Sequence, residues 1–149
     1  MAADPRVVIA MAKTVETLAP ENLAAPGGHY SHAARFGDLI FTAGQLGIRA
    51  DGSHTSELGF EEQARQALAN MLAAVRAAGA EPPDILKVTA YIVGVDNWPR
   101  FNAVYAEVMG AVRPARAVVP VPELHYGYLV EVDAVAVRGS AVAHNSGQG

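Results

Sequence analysis

The chain has 149 residues, 51% of them hydrophobic and 17% charged, a balance that supports one domain around a single core and excludes a disordered, strongly solvating polymer. A net charge of −4, with no basic run longer than two residues, argues against nucleic acid as a main partner. There is no cysteine, which removes disulfides, thiolate nucleophiles and thiolate-held metals.

The longest apolar stretch near the start, residues 7–12, is too short for a membrane span or a secretory signal, so the expectation is a cytoplasmic protein with no membrane partner. Residues 1–12 read as an N-terminal extension, residues 13–138 as a single domain, and residues 139–149 (GSAVAHNSGQG) as a flexible, glycine-rich tail. Weak alternation over residues 13–18 suggests a first strand, followed by a Pro/Gly-rich loop over residues 19–28. Residues 39–43 (LIFTA) form a short buried strand closed by Gly44, and residues 50–52 (ADG) supply a turn.

Over residues 60–78 the apolar positions Phe60, Ala64, Leu68, Met71, Leu72 and Val75 repeat with helical spacing, and Gly79 is placed to end that helix. Residues 84–93 lead into a β-branched strand. Asp96 or Asn97 then starts a second helix, with Pro99 in its first turn and Trp98, Phe101, Tyr105 and Val108 as its buried stripe. Two strands follow, residues 115–119, stopped by Pro120 and Pro122, and residues 128–137.

This order predicts an α+β fold with two helices on one face of a mixed sheet. If Val130, Val132, Ala134 and Ala136 face the helices, the other face of the last strand carries Leu129, Glu131, Asp133, Val135 and Val137. No remaining element can cover that largely apolar face, which predicts burial between subunits.

The common nucleotide, metalloprotease and hydrolase motifs are absent: GxGxxG, a phosphate-binding P-loop, HExxH and GxSxG. The closest histidine pair, His29 and His32, lies three apart in a segment read as loop or strand and lacks matching carboxylates, so no metal site is expected. His54 and His144 read as solvent-exposed. Arg116 stands out inside the apolar run of residues 114–119 (PARAVV). A permanently charged guanidinium on a sheet strand requires an anion, either a protein carboxylate, with Glu131 or Asp133 as candidates, or a bound one. An interfacial ion pair and a bidentate site for a substrate carboxylate both satisfy that requirement.

Seven segments, in order, resemble the Rid (YjgF-type) reactive-intermediate deaminases. They are residues 28–33 (GHYSHA), 37–45 (GDLIFTAGQ), 62–70 (EQARQALAN), 87–89 (KVT), 101–105 (FNAVY), 113–116 (RPAR) and 130–137 (VEVDAVAV). The resemblance covers residues 13–138 and implies a chorismate-mutase-like subunit in a homotrimer, with sheets around a central barrel and clefts between subunits. It further implies hydrolytic deamination of small 2-imino or 2-enamino acids to 2-oxo acids and ammonia, without metal or organic cofactor.

In that reading Arg116 grips the substrate carboxylate, Glu131 holds the attacking water, and Tyr30 closes the cleft from a neighbouring chain. Gly44 lines the pocket through its backbone, and Asn102 matches an asparagine near it. Ala43 stands where many imine-hydrolysing members have serine and Val118 where several have cysteine, so two polar contacts are missing. Residues 120–127 (PVPELHYG) also depart from the best-known members, and His125 and Tyr126 are candidates for contacts of their own. The alternative function is a trimeric module that binds a carboxylate ligand without turnover. Ribonuclease activity, sometimes attached to this family, suits the acidic balance least. Structural roles stay open for each residue: packing for Tyr30, capping for Asn102, neutralisation of Arg116 for Glu131.

Overall fold

The computed structural model describes residues 14–139; the N-terminal extension, His144 and the tail beyond Gly139 lie outside the described residues. The elements in chain order are β1 (Glu16–Leu18), β2 (Ala33–Phe36), β3 (Leu39–Thr42), α1 (Phe60–Ala77), β4 (Ile85–Val93), α2 (Trp98–Met109), β5 (Ala115–Val121) and β6 (Val130–Val137). They form one six-stranded sheet in the order β1-β2-β3-β6-β4-β5. The β4–β5 pair is parallel and every other pair antiparallel. Since β3 and β4 both run opposite to β6, they are parallel to each other, and α1 carries the chain between them while α2 joins β4 to β5. Among the described residues no helix is long and apolar enough to cross a membrane.

Both helices cover one face, as the alternation of β6 requires. Val130, Val132, Ala134 and Ala136 are buried beneath them with Ile40 of β3 and Val88, Ala90 and Ile92 of β4. The apolar stripe of α1 closes this core, and Gly79 ends the helix with φ +100°, a left-handed conformation that favours glycine. The opposite face, placed by the strand registers, carries Phe36, Leu39, Phe41, Val135, Val137, Tyr91 and Val119 around Glu131 and Asp133. Phe41 on that face is 49% exposed.

Several sequence expectations shift. Strand β2 is unforeseen, since Ala-Ala-Arg-Phe lacks β-branched alternation and pairs only because β3 follows it directly. Its Arg35 lies on the helix side and donates to the Ala78 carbonyl at 2.6 Å. The stripe of α2 is Phe101, Val104, Tyr105 and Met109, whereas Trp98 is 43% exposed. Strand β5 runs through Pro120 to Val121, which an edge strand tolerates because a residue without N–H there need not break a ladder bond. Leu129 precedes β6 and packs against the core instead of standing on the open face.

Between β3 and α1 the chain runs without a helix or strand and is held by buried amides. Asn70 of α1 donates to the carbonyls of Leu46 (2.9 Å) and Ile48 (2.7 Å). Gln63 donates to Ser56 and Leu58 and accepts the Leu129 N–H at 2.8 Å. These side chains replace the ladder bonds that a strand would have supplied. Asn70→Ala strands the two loop carbonyls and should cost about 2 kcal/mol, measured as a lower midpoint in urea denaturation.

Candidate functional site

The site grows from an irregularity between β3 and β6. Phe41 pairs with Val135, and the next contact joins Gln45 to Val132, so four steps on one side oppose three on the other. The extra residue makes a bulge at Ala43 and Gly44 and lifts the backbone away from β6. Glu131 fills the gap. A Cβ added at Gly44 would lie 2.1 Å from Glu131 Oε1, so the absence of a side chain is what lets the carboxylate lie against this backbone.

Around it opens a cleft of about 740 Å³ whose lining includes Tyr30, Ala43, Gly44, His125 and Glu131. Five of the sequence-predicted residues are therefore brought together within one chain. Tyr30 is 50% exposed, and its hydroxyl accepts the Gly27 N–H at 3.3 Å. Buried His32 bridges the Ala24 carbonyl (2.7 Å) through Nε2 and the Gln45 side-chain amide (3.2 Å) through Nδ1, fastening the strand before the cleft to the segment after it. Its role is that of a satisfied core histidine.

Burial pushes the Glu131 carboxyl above the ordinary glutamate value and neighbouring Asp133 adds to the rise, while the charge of His125 works against it. Asp133 is likewise raised by burial, with the Tyr91 hydroxyl and Lys87 opposing. A carboxyl moved toward neutrality exchanges protons with water more readily than an ordinary one.

The other predicted residues lie elsewhere. The β4–β5 register pairs Arg116 with Val88 and Val118 with Ala90, so both occupy the helix side of the sheet, opposite Glu131. Within one chain Arg116 is therefore on the face opposite Glu131 and Asp133, because neighbouring residues on a strand point to opposite faces and the register fixes which, and an ion pair with either acid is left to a contact between subunits. Arg116 instead donates to Asn102 Oδ1 at 3.0 Å and lies over the rings of Tyr105 (4.7 Å) and Trp98 (5.7 Å). Among the described residues no carboxylate forms an ion pair with it. Asn102 thus orients the guanidinium, and Val118 packs against the core outside the cleft.

The sequence reading missed His54, which lines the cleft and bonds through Nδ1 to the Tyr128 hydroxyl at 2.9 Å. Its isolation in a polar loop gave no signal. It is exposed, as expected, but anchored.

The family described as Endoribonuclease L-PSP matches residues 21–138. The RutC family protein PH0854 of Pyrococcus horikoshii is 36% identical over 83% of this chain and 98% of its own length. A 2-iminobutanoate/2-iminopropanoate deaminase of Salmonella typhimurium is 33% identical over 83% of this chain and 98% of its own. The crystal structure of E. coli TdcF with bound serine superposes with a TM-score of 0.77 at 29% identity, covering 83% of this chain and 99% of that one.

A carboxyl whose folded pKa exceeds its unfolded one, as for Glu131, binds protons more tightly when folded, so its contribution favours folding at acid pH and is lost as pH rises through the folded pKa. Glu131→Gln, which carries no charge, should raise the denaturation midpoint relative to wild type at pH 7, with the difference vanishing below the ordinary glutamate pKa. Parallel melts across that range check it.

Proposed function

Because this chain belongs to the Endoribonuclease L-PSP (YjgF/RutC) family, with the match spanning residues 21–138, we propose that it hydrolyses small 2-imino and 2-enamino acids to 2-oxo acids and ammonia in clefts between subunits. The observation that carries this reading is the half-buried Glu131 carboxyl against the bare Gly44 backbone, in a cleft whose lining includes no lysine or arginine among the described residues. Relatives named as imine deaminases support the reaction class.

In the proposed reaction, an enamine first becomes the imine by protonation at carbon. Glu131 accepts a proton from water as the water oxygen attacks the C=N carbon of the protonated imine. The carbinolamine then receives that proton on nitrogen, the C–N bond breaks with its electron pair leaving on ammonia, and the hydroxyl proton passes to the Glu131 carboxylate as the C=O bond of the 2-oxo acid forms; the released ammonia then takes that proton as ammonium and restores the carboxylate. Orientation and one proton relay suffice, because a protonated imine is already electrophilic.

The substrate carboxylate needs a cation, and Arg116 is the candidate. One of its N–H groups is committed to Asn102, and the others are available for bidentate binding. Since it lies on the opposite face from Glu131 in the same chain, and on the edge strand β5, the reading requires a second copy to bring its Arg116 to this cleft. A homotrimer that buries the open sheet faces meets that requirement and removes Phe41, Leu39 and Val119 from water. Ala43 and Val118, without polar side chains, favour the second reading, a carboxylate-binding trimer that does not turn over.

Ammonia and 2-oxo acid release from imines generated in situ by an amino-acid oxidase separates the two readings, since a binder gives no rate above buffer. Arg116→Ala should lower kcat/KM about 100-fold or more, and Arg116→Lys nearly as far, because an ammonium cannot form the paired hydrogen bonds of a guanidinium. Glu131→Gln should lower kcat far more than it weakens binding of an unreactive 2-oxo acid, and should abolish an acid limb of the wild-type pH profile lying above the ordinary glutamate pKa.

Light scattering should give three times the 15.6 kDa chain mass. Val135→Asp, which puts a carboxylate on the open face beside Lys87 and Phe41, should dissociate the assembly and remove activity with it. A wild-type monomer at micromolar concentration overturns the intersubunit cleft.

A further inference from the structure

The cleft is larger than the smallest imino acids need. Its volume of about 740 Å³ falls in the range of roughly 300–1,000 Å³ seen for sites that enclose drug-sized ligands. Besides Glu131 and Gly44 its lining includes Leu46, Ile48, His54 and Tyr126, and these four make up its aromatic and aliphatic arm.

Two ring side chains of this arm, His54 and Tyr126, lie against each other. Tyr126 has φ +61° and ψ 18°, a left-handed conformation that an aromatic residue rarely adopts. That backbone leaves the residue 61% exposed, with its ring 5.1 Å from the His54 ring at an interplanar angle of 54°. His54 in turn is anchored from below. Tyr128 is fully buried, and its hydroxyl accepts the Thr55 N–H at 3.1 Å. The phenolic hydrogen of a buried tyrosine needs an acceptor, and His54 Nδ1 at 2.9 Å is the one present.

We propose that this arm is the side-chain pocket for 2-imino acids bearing an aromatic ring, and that His54 and Tyr126 set the preference. The inference rests on the deaminase reading for its reaction and on the geometry of the arm for its substrate class. Two tilted rings present both an edge and a face to a third ring, the arrangement aromatic groups favour over a flat stack. Leu46 and Ile48 supply the aliphatic wall that a ring desolvates on entry. A methyl side chain offers these four residues far less apolar surface than a ring does, so it gains correspondingly less from them. Among the described residues the lining holds no lysine or arginine for an acidic side chain, and the Asp51 carboxylate is already engaged by the Ser53 N–H and hydroxyl at 2.8 and 2.6 Å.

The test compares imines generated in situ from phenylalanine and alanine. Wild type should show at least tenfold higher kcat/KM for the phenylalanine-derived imine, and Tyr126→Gly and His54→Leu should each lower the phenylalanine-to-alanine ratio about tenfold. Glycine suits the backbone at position 126, so the first variant keeps the loop path while removing the ring. Equal use of both imines, or a ratio untouched by both variants, overturns the aromatic pocket while the deaminase reading stands. If neither imine is hydrolysed, calorimetry with 3-phenyl-2-oxopropanoate decides. Binding to wild type that weakens at least tenfold in Tyr126→Gly upholds the pocket and overturns the reaction, whereas absence of binding overturns both.

Discussion

The alternation of β6 is the constraint from which the rest of the molecule follows. Every second residue, Val130, Val132, Ala134 and Ala136, is small or β-branched and lies sealed beneath two helices. The residues between them, Glu131, Asp133, Val135 and Val137, cannot enter that core without shifting the strand by one position, which would bury two carboxylates and expose four aliphatic groups. Register is therefore strongly specified at the centre of the sheet, where β6 lies between β3 and β4. The same rule, carried across β4 to β5, puts Arg116 on the helix side and so separates it from the two acids.

One consequence is that the chain holds two incomplete chemical environments. On one face a carboxyl is raised in pKa by burial, next to a bulge and a residue without a side chain. On the other a guanidinium lies over two aromatic rings with, among the described residues, a single amide oxygen as its side-chain hydrogen-bond partner. Cation–π contact and one neutral acceptor stabilise a cation less completely than a carboxylate does. The exposed apolar residues Phe36, Leu39, Phe41 and Val119 share the face that carries the acid, so the proposed association would desolvate the carboxyl further as it brings in the cation.

A second dependence lies in the stretch between β3 and α1, longer than most connections lacking helix or strand and of the kind that carries binding function. It is ordered by side chains of α1 rather than by its own backbone ladder. Asn70, Gln63 and the Thr55 hydroxyl, which donates to the Gly47 carbonyl at 2.7 Å, satisfy several of its carbonyls, while Gln45 pairs with Val132 of β6. The helix therefore does two jobs with two sets of positions: its apolar stripe closes the core, and its buried amides fix one wall of the cleft.

By itself the sequence determined the α+β class, the two helices, the strands at the centre of the sheet and the open apolar face, because each of these is written in a local period of burial. The short runs that resemble one family identified Tyr30, Gly44 and Glu131, which the fold gathers into one cleft. Only the tertiary structure decided which residues share a face. Pairing of Arg116 with Val88 depends on the register between strands that are separated in sequence by a helix, and no local pattern encodes it. Strand β2 depends on its neighbour rather than on its composition, and His54 becomes part of the cleft only through Tyr128, 74 residues away. Periodicity records whether a side chain meets water or core. It carries no record of which distant side chain it meets, since that is settled by strand register and loop closure over the whole chain.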